Sequence, residues 1–153
     1  MVRKLLLDTT FLLPFFEIDL GEINRIVEDL YSKLLALYYA EISIYEAKFK
    51  LVSLYRKKRI SFDIIKNFWR NLSILKDDEK IIFVPYDARI DDYVNKLEEK
   101  LPRKLEIIDE LIVATAIPIG NLLTMDDEIL GMRDQIKKLF NLEVYDIETI
   151  SNF

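Results

Sequence analysis

Short, almost wholly apolar runs alternate along this chain with longer stretches in which apolar residues recur at helical spacing. Leu5-Leu6-Leu7 is the first short run, and unbroken apolar content over so few residues fits a strand covered on both faces. From Glu22 the apolar positions are Ile23, Ile26, Val27, Leu30, Tyr31, Leu34, Leu35 and Tyr38. They share one face of a helix, which predicts a helix of about four turns. "AEIS" at 40–43 reads as a brief strand. A second helical pattern runs through Ile44, Ala47, Leu51, Leu54 and Tyr55 and ends in the basic run "RKKR" at 56–59. Ser61 stands as the N-cap of a third helix, with Ile64, Ile65, Phe68, Trp69, Leu72 and Leu75 on one side.

"KIIFVP" at 80–85 has the β-branched and aromatic content of a strand and is closed by proline. Ile90, Tyr93, Val94, Leu97 and Leu101 mark another helix. "DELIVATAI" from Asp109 is apolar on nearly every side, which predicts a buried helix stopped by Pro118 and Gly120. "NLLT" at 121–124 and "LEVYDI" at 142–147 read as strands, and "DDEILGMRDQIKKLF" at 126–140 as a helix despite Gly131. Strands alternating with helices predict an α/β fold. The expected architecture is an α/β/α sandwich around a central, mainly parallel sheet of about four to five strands.

In an open parallel sheet, ligands bind outside the carboxyl ends of the strands. Asp8 follows the first strand directly, and Thr124-Met125-Asp126 follows another. Asp109, at the start of the buried helix, and Glu46, one turn into the helix after "EIS", face the same edge on this reading. Each acid alone has an ordinary role available. Asp8, Asp109 and either Asp126 or Asp127 are placed to cap the segments that follow, and Lys50 is placed to pair with Glu46 at i+4. Together they need more than that. Two carboxylates about 5 Å apart repel by roughly 3 kcal/mol at an effective dielectric near 20. A cluster of them would consume much of a domain stability of about 5–15 kcal/mol unless protons or a cation relieved it.

Composition narrows the chemistry. The 153 residues are 51% hydrophobic, enough for one domain with its own core, and no apolar run is long enough to span a bilayer. The apolar stretch after Met1-Val2-Arg3-Lys4 is too short for a signal peptide. Cytoplasmic localisation is the expectation. Cysteine and histidine are both absent, which excludes thiol nucleophiles, disulfides, Cys/His zinc sites and any imidazole base. A bound metal must therefore have oxygen ligands, which points to Mg²⁺ or Mn²⁺. The net charge of −5 argues against a bulk electrostatic binder of nucleic acid, though not against local basic patches. "YRKKR" at 55–59 and "PRKLE" at 102–106 are the dense basic runs. Phe62, Phe68 and Trp69 are read as core or dimer contacts rather than base-stacking platforms.

Four segments, "LLLDTTFLL", "EISIYEAKFK", "IIDELIVATA" and "LLTMDD", taken in that order, resemble the motifs of the PIN domain, above all the small toxins of VapBC type. The resemblance covers essentially the whole chain, as one nuclease domain over 1–153. It implies Asp8, Glu46, Asp109 and Asp126 as metal-holding acids, with Thr9 and Thr124 as supporting hydroxyls. It also implies a Mg²⁺- or Mn²⁺-dependent endoribonuclease that cuts RNA, is often a homodimer, and is inhibited by an antitoxin protein. "DTT" replaces the more usual "DTS" or "DTN", and Asp127 competes with Asp126 for the last position. The alternative is a non-catalytic PIN-like module that binds protein or RNA. A haloacid-dehalogenase phosphatase is disfavoured, because Thr10 stands where its second Asp belongs. A receiver domain lacks its acids and lysine in the required order.

Overall fold

A computed structural model describes residues 3–34 and 36–153. Its strands are β1 (Leu6–Leu7), β2 (Leu37–Ala40), β3 (Ile81–Val84), β4 (Asn121–Leu123) and β5 (Glu143–Tyr145). They form one sheet in the order β3-β2-β1-β4-β5, and every pairing is parallel. The helices are α1 (Glu22–Lys33), α2 (Ile42–Arg56), α3 (Phe62–Lys66), α4 (Phe68–Asp77), α5 (Ala88–Lys100), α6 (Ile107–Ala116), α7 (Asp127–Gly131) and α8 (Arg133–Phe140). Among the described residues no helix is long and apolar enough to cross a membrane.

Alternation along the strands builds two cores, one on each face of the sheet. Leu5, Leu7, Leu37, Tyr39 and Leu123 point into a core covered by α1, α2 and α4, through Val27, Leu30, Ala47, Leu51 and Leu72. Leu6, Ala40, Leu122 and Val144 point the other way, onto α5, α6 and α8 through Ile90, Leu97, Ile112 and Ile136. Register explains the sorting: Leu6 pairs with Tyr38 and Leu122, and Leu7 with Tyr39 and Leu123. The α/β/α sandwich expected from the sequence is present, with five parallel strands.

Several boundaries differ from expectation. The helix predicted from Glu22 ends at Lys33, and Leu34 is already extended at φ −95° and ψ 154°. The strand lies at Leu37–Ala40, not at "AEIS"; Glu41 leaves the sheet and Ile42 opens α2. The cause is burial. β2 sits between β1 and β3 with a helical layer on each face, so its apolar positions show no two-residue alternation and merge with the helical pattern before them. Leu35 lies outside the described residues.

The helix expected after Ser61 is two pieces meeting at Asn67, and Ser61 makes no side-chain cap bond. Trp69 does not join the apolar face and is 71% exposed. The helix expected over 126–140 is likewise broken at Met132, after Gly131. Gly120 adopts φ +96°, open to glycine at little cost, and turns the chain from α6 into β4.

Candidate active site

The carboxyl ends of β1 and β4 meet at a pair of residues joined side chain to side chain. The Asp8 amide donates to the Leu123 carbonyl at 2.9 Å, extending the β1–β4 ladder by one residue and fixing the Asp8 backbone. Oδ1 of Asp8 accepts from the Thr9 amide at 2.6 Å, and Oδ2 accepts from the Thr124 hydroxyl at 2.7 Å. Thr124 Oγ1 in turn accepts from the Asp126 amide at 3.0 Å, so one buried hydroxyl orders both acids. Asp126 caps α7, its Oδ2 accepting from the Ile129 amide at 2.9 Å.

Thr9 ties this edge to α2. Its hydroxyl donates to Ser43 Oγ at 2.9 Å, and both residues are fully buried. Ser43 and Glu46 are three residues apart on α2 and therefore neighbours along it. Asp109 sits in the first turn of α6, two residues inside the helix; the N-cap position belongs to Glu106, whose side chain makes no cap bond.

Electrostatics shows which acids the fold brings together. Burial raises the carboxyl of Asp8 above its ordinary range; hydrogen bonds from Thr124 and Thr9 and the charge of Lys50 oppose the shift, and Glu46 adds to it. Asp109 is pushed up to about 7, first by desolvation and then by the negative charges of Asp126, Asp8, Glu46 and Glu106. Asp8, Glu46, Asp109 and Asp126 therefore converge on one edge of the sheet. Asp127 is exposed, the first residue of α7, and its charge is not among those acting on Asp109. The Glu46–Lys50 ion pair expected at i+4 is not among the ion pairs of the described residues. Lys50 acts on Asp8 instead.

The donor chemistry suits a hard divalent cation. Each oxygen of Asp8 accepts one hydrogen bond, leaving a lone pair on each, and one oxygen of Asp126 has no side-chain cap duty. Among the described residues, no three acids stand close enough to share one ion as placed. Mg²⁺ tolerates such a site, since it is commonly held by one or two carboxylates and keeps several waters.

Several residues near the site carried no signal strong enough to single them out in the sequence. Ser43 looked like part of a strand. Tyr45 and Tyr86, both exposed, flank a cavity of about 500 Å³ with Ala40 and Val84 at the ends of β2 and β3, Ile42 of α2 and Leu111 of α6. Glu110, beside Asp109, is buried and pushed up to about 7 by desolvation and a hydrogen bond with Glu98 of α5; a buried acid next to a site acid is readable only once α5 is placed.

Neither a family model nor a curated protein matches this sequence. Solved structures do match. A chain of VapBC2 from Rickettsia felis, bound to a DNA fragment from its promoter, superposes with TM-score 0.62 over 95% of this chain and 98% of that one, at 16% identity. The fold is PIN-like. A chain of FitAB bound to the IR36 DNA fragment gives TM-score 0.61, 18% identity and 94% coverage of both chains. A chain of DNA-bound VapBC from Salmonella typhimurium gives 0.56 at 16% identity, over 96% of this chain and 99% of that one. At these identities the likeness is one of fold, and it extends over nearly the whole of each chain.

Proposed function

We propose that this chain is one PIN-like nuclease domain, a cytoplasmic Mg²⁺- or Mn²⁺-dependent endoribonuclease acting as the toxin of a VapBC-type pair. The observation that carries the reading is the convergence of Asp8, Glu46, Asp109 and Asp126, from four separate segments, at the carboxyl edge of a PIN-like sheet. An antitoxin partner is supported by the fold shared with chains of VapBC and FitAB complexes. A homodimer follows the habit of the family it resembles, with the exposed Phe62 and Trp69 as contacts.

In this reading Asp8 and Asp126 hold the metal, directly or nearly so. Asp109 stands behind them, and Glu46 acts through a water or as a base. A bound Mg²⁺ or Mn²⁺ supplies the positive charge that acidifies water and offsets charge building on a phosphodiester. The protein supplies fixed geometry. Thr124 and the Thr9 amide lock Asp8 in one orientation, and Thr124 holds the Asp126 backbone in step with it. Without a cation Asp109 is pushed up to about 7 by desolvation and by its acidic neighbours, a repulsion that a bound cation would relieve. "YRKKR" at 55–59 and "PRKLE" at 102–106 provide a basic rim for phosphate.

The test is cleavage of a mixed RNA substrate in Mg²⁺, in Mn²⁺ and in EDTA, repeated with Asp8→Asn and Asp126→Asn after circular dichroism has shown both folded. Metal-dependent cleavage lost in both variants is expected. Cleavage undiminished in both variants would reject these acids as the site. Heat stabilisation by Mg²⁺ without any cleavage would favour the non-catalytic module instead.

A further inference from the structure

The acids account for holding a cation but leave open what holds the RNA phosphate against it. α2 offers an answer. Its buried face is Ser43, Ile44, Ala47 and Leu51. At about 100° per residue, Glu46, Lys50 and Lys57 fall within roughly 40° of one another, flanking that face on one side. Ser43 is bonded to Thr9, the residue after Asp8, so the flank carrying Glu46 and Lys50 borders the acid edge. Lys48 lies on the opposite flank and is committed to the fold: its ammonium donates to the Ile65 carbonyl at 3.1 Å and sits 5.0 Å from the Phe68 ring.

Lys50 is different. It is half-buried, it stands among carboxylates, and among the described residues it makes no ion pair within 4.0 Å and no side-chain hydrogen bond. Its charge already favours the ionised form of Asp8, and its unbonded donors are open to an arriving anion whose repulsion by the acids they offset. Lys57 lies seven residues on, about 10 Å further along the helix axis, at the C-cap of α2 and within the exposed basic run. Charge therefore changes sign along one flank, from Glu46 to Lys50 to Lys57.

We propose that Lys50 is the phosphate-binding residue of this site, contacting a non-bridging oxygen of the phosphodiester to be cut, and that α2 carries the RNA strand onward to Lys57. The inference rests on the ribonuclease reading and deepens it. The occupant is single-stranded RNA, by charge complementarity to a lysine track that begins at the acids. A lysine that strengthens its contact as charge builds on the phosphate affects kcat, while one that holds a distant phosphate equally before and during reaction affects KM and leaves kcat unchanged.

The experiment compares parent, Lys50→Met, Lys50→Arg and Lys57→Met in single-turnover cleavage. It also measures binding of a short single-stranded RNA to the same lysine variants in an Asp8→Asn background, which leaves the RNA whole, across a salt series. Lys50→Met is expected to lower kcat by about a hundredfold, with Lys50→Arg recovering to within about tenfold of the parent. Lys57→Met is expected to raise KM a few-fold with kcat unchanged. Each Lys→Met change should flatten the slope of log K against log salt by about 0.7. Lys50→Met cutting as fast as the parent would overturn the proposal. So would a loss that arginine does not rescue, accompanied by a lower melting temperature and an unchanged salt slope, because that pattern is a structural role. A parent that cuts no RNA in either metal would remove the reading beneath it, an outcome visible before any lysine variant is made.

Discussion

Asp8 and Asp109 are both acids whose charged forms are disfavoured first by burial, and they differ in what opposes it. Asp8 is 7% exposed, and its two hydrogen bonds compensate part of the desolvation. Thr124→Val keeps the shape, removes the hydroxyl that serves Asp8 and Asp126 at once, and should cost about 1–3 kcal/mol in urea unfolding at neutral pH. The loss should shrink as the pH is lowered and Asp8 takes a proton; a loss independent of pH would mean that the hydroxyl does not support the charge. Asp109 has no such support and reaches about 7. Its native form binds a proton more tightly than the unfolded chain does. It therefore subtracts from stability in full above about pH 7, and the penalty disappears as pH falls from 7 towards the ordinary value of 3.8. Asp8 and Glu110 are raised too and act with the same sign. The metal-free protein should thus melt at a higher temperature at pH 5 than at pH 7.5. Asp109→Asn should raise the melting temperature at pH 7.5 and flatten the dependence, and Mg²⁺ should do the same for the parent. A parent whose melting temperature does not change between these pH values would contradict the clustering of the acids.

Helices and strands were legible where one face is wet and blurred where neither is. α5 carries a charged outer face over an apolar inner one and was read to within a few residues, and α8, patterned likewise, was read as the later part of one longer helix. β2 was misplaced because a strand covered on both faces offers no alternation, and α1 appeared to run on through it. The site depended little on that error. Asp8, Asp109 and Asp126 are each anchored by a strand end or a helix start, and Glu46 stayed on α2 when that helix gained residues at its start. Ser43 and Lys50 were not legible as site residues, because their significance comes from how α2 packs on Thr9. Breaks within helices were missed where local propensity still favoured continuation, as at Met132. Gly131 closes α7 without positive φ, and a methyl there would meet the flexible end of Arg103 at 3.3 Å. Gly131→Ala should therefore stabilise by about 0.4–1 kcal/mol by restricting the unfolded chain. Gly120→Ala, at φ +96°, should destabilise by more than that amount. Chemical denaturation of the pair reads both signs, and equal effects would show that the two turns are not the distinct conformations described.

At the scale of the whole molecule, a parallel sheet covered on both faces was implied by strands alternating with helices, while the strand order and the surface were not. Nothing in the local pattern told Trp69 from Phe68, adjacent residues of α4 with opposite fates. Phe68 is 6% exposed and stacks on Phe16 with ring centroids 4.5 Å apart, whereas Trp69 is 71% exposed. Tyr55 and Phe62 add an exposed aromatic pair, 5.4 Å between ring centroids. Aromatic residues are enriched at the centres of protein interfaces, which makes these three exposed residues the first places to look for a covered surface. The homodimer proposed above predicts that light scattering finds twice the chain mass at micromolar concentration. Trp69→Glu should return the monomer with its circular dichroism unchanged, because the indole is outside both cores. A parent that is monomeric throughout would remove the dimer from the proposal and leave the exposed aromatics for the antitoxin. A Trp69→Glu protein that stays dimeric would place the interface elsewhere. The acid site should be indifferent in either case, since Asp8, Glu46, Asp109 and Asp126 all come from one chain.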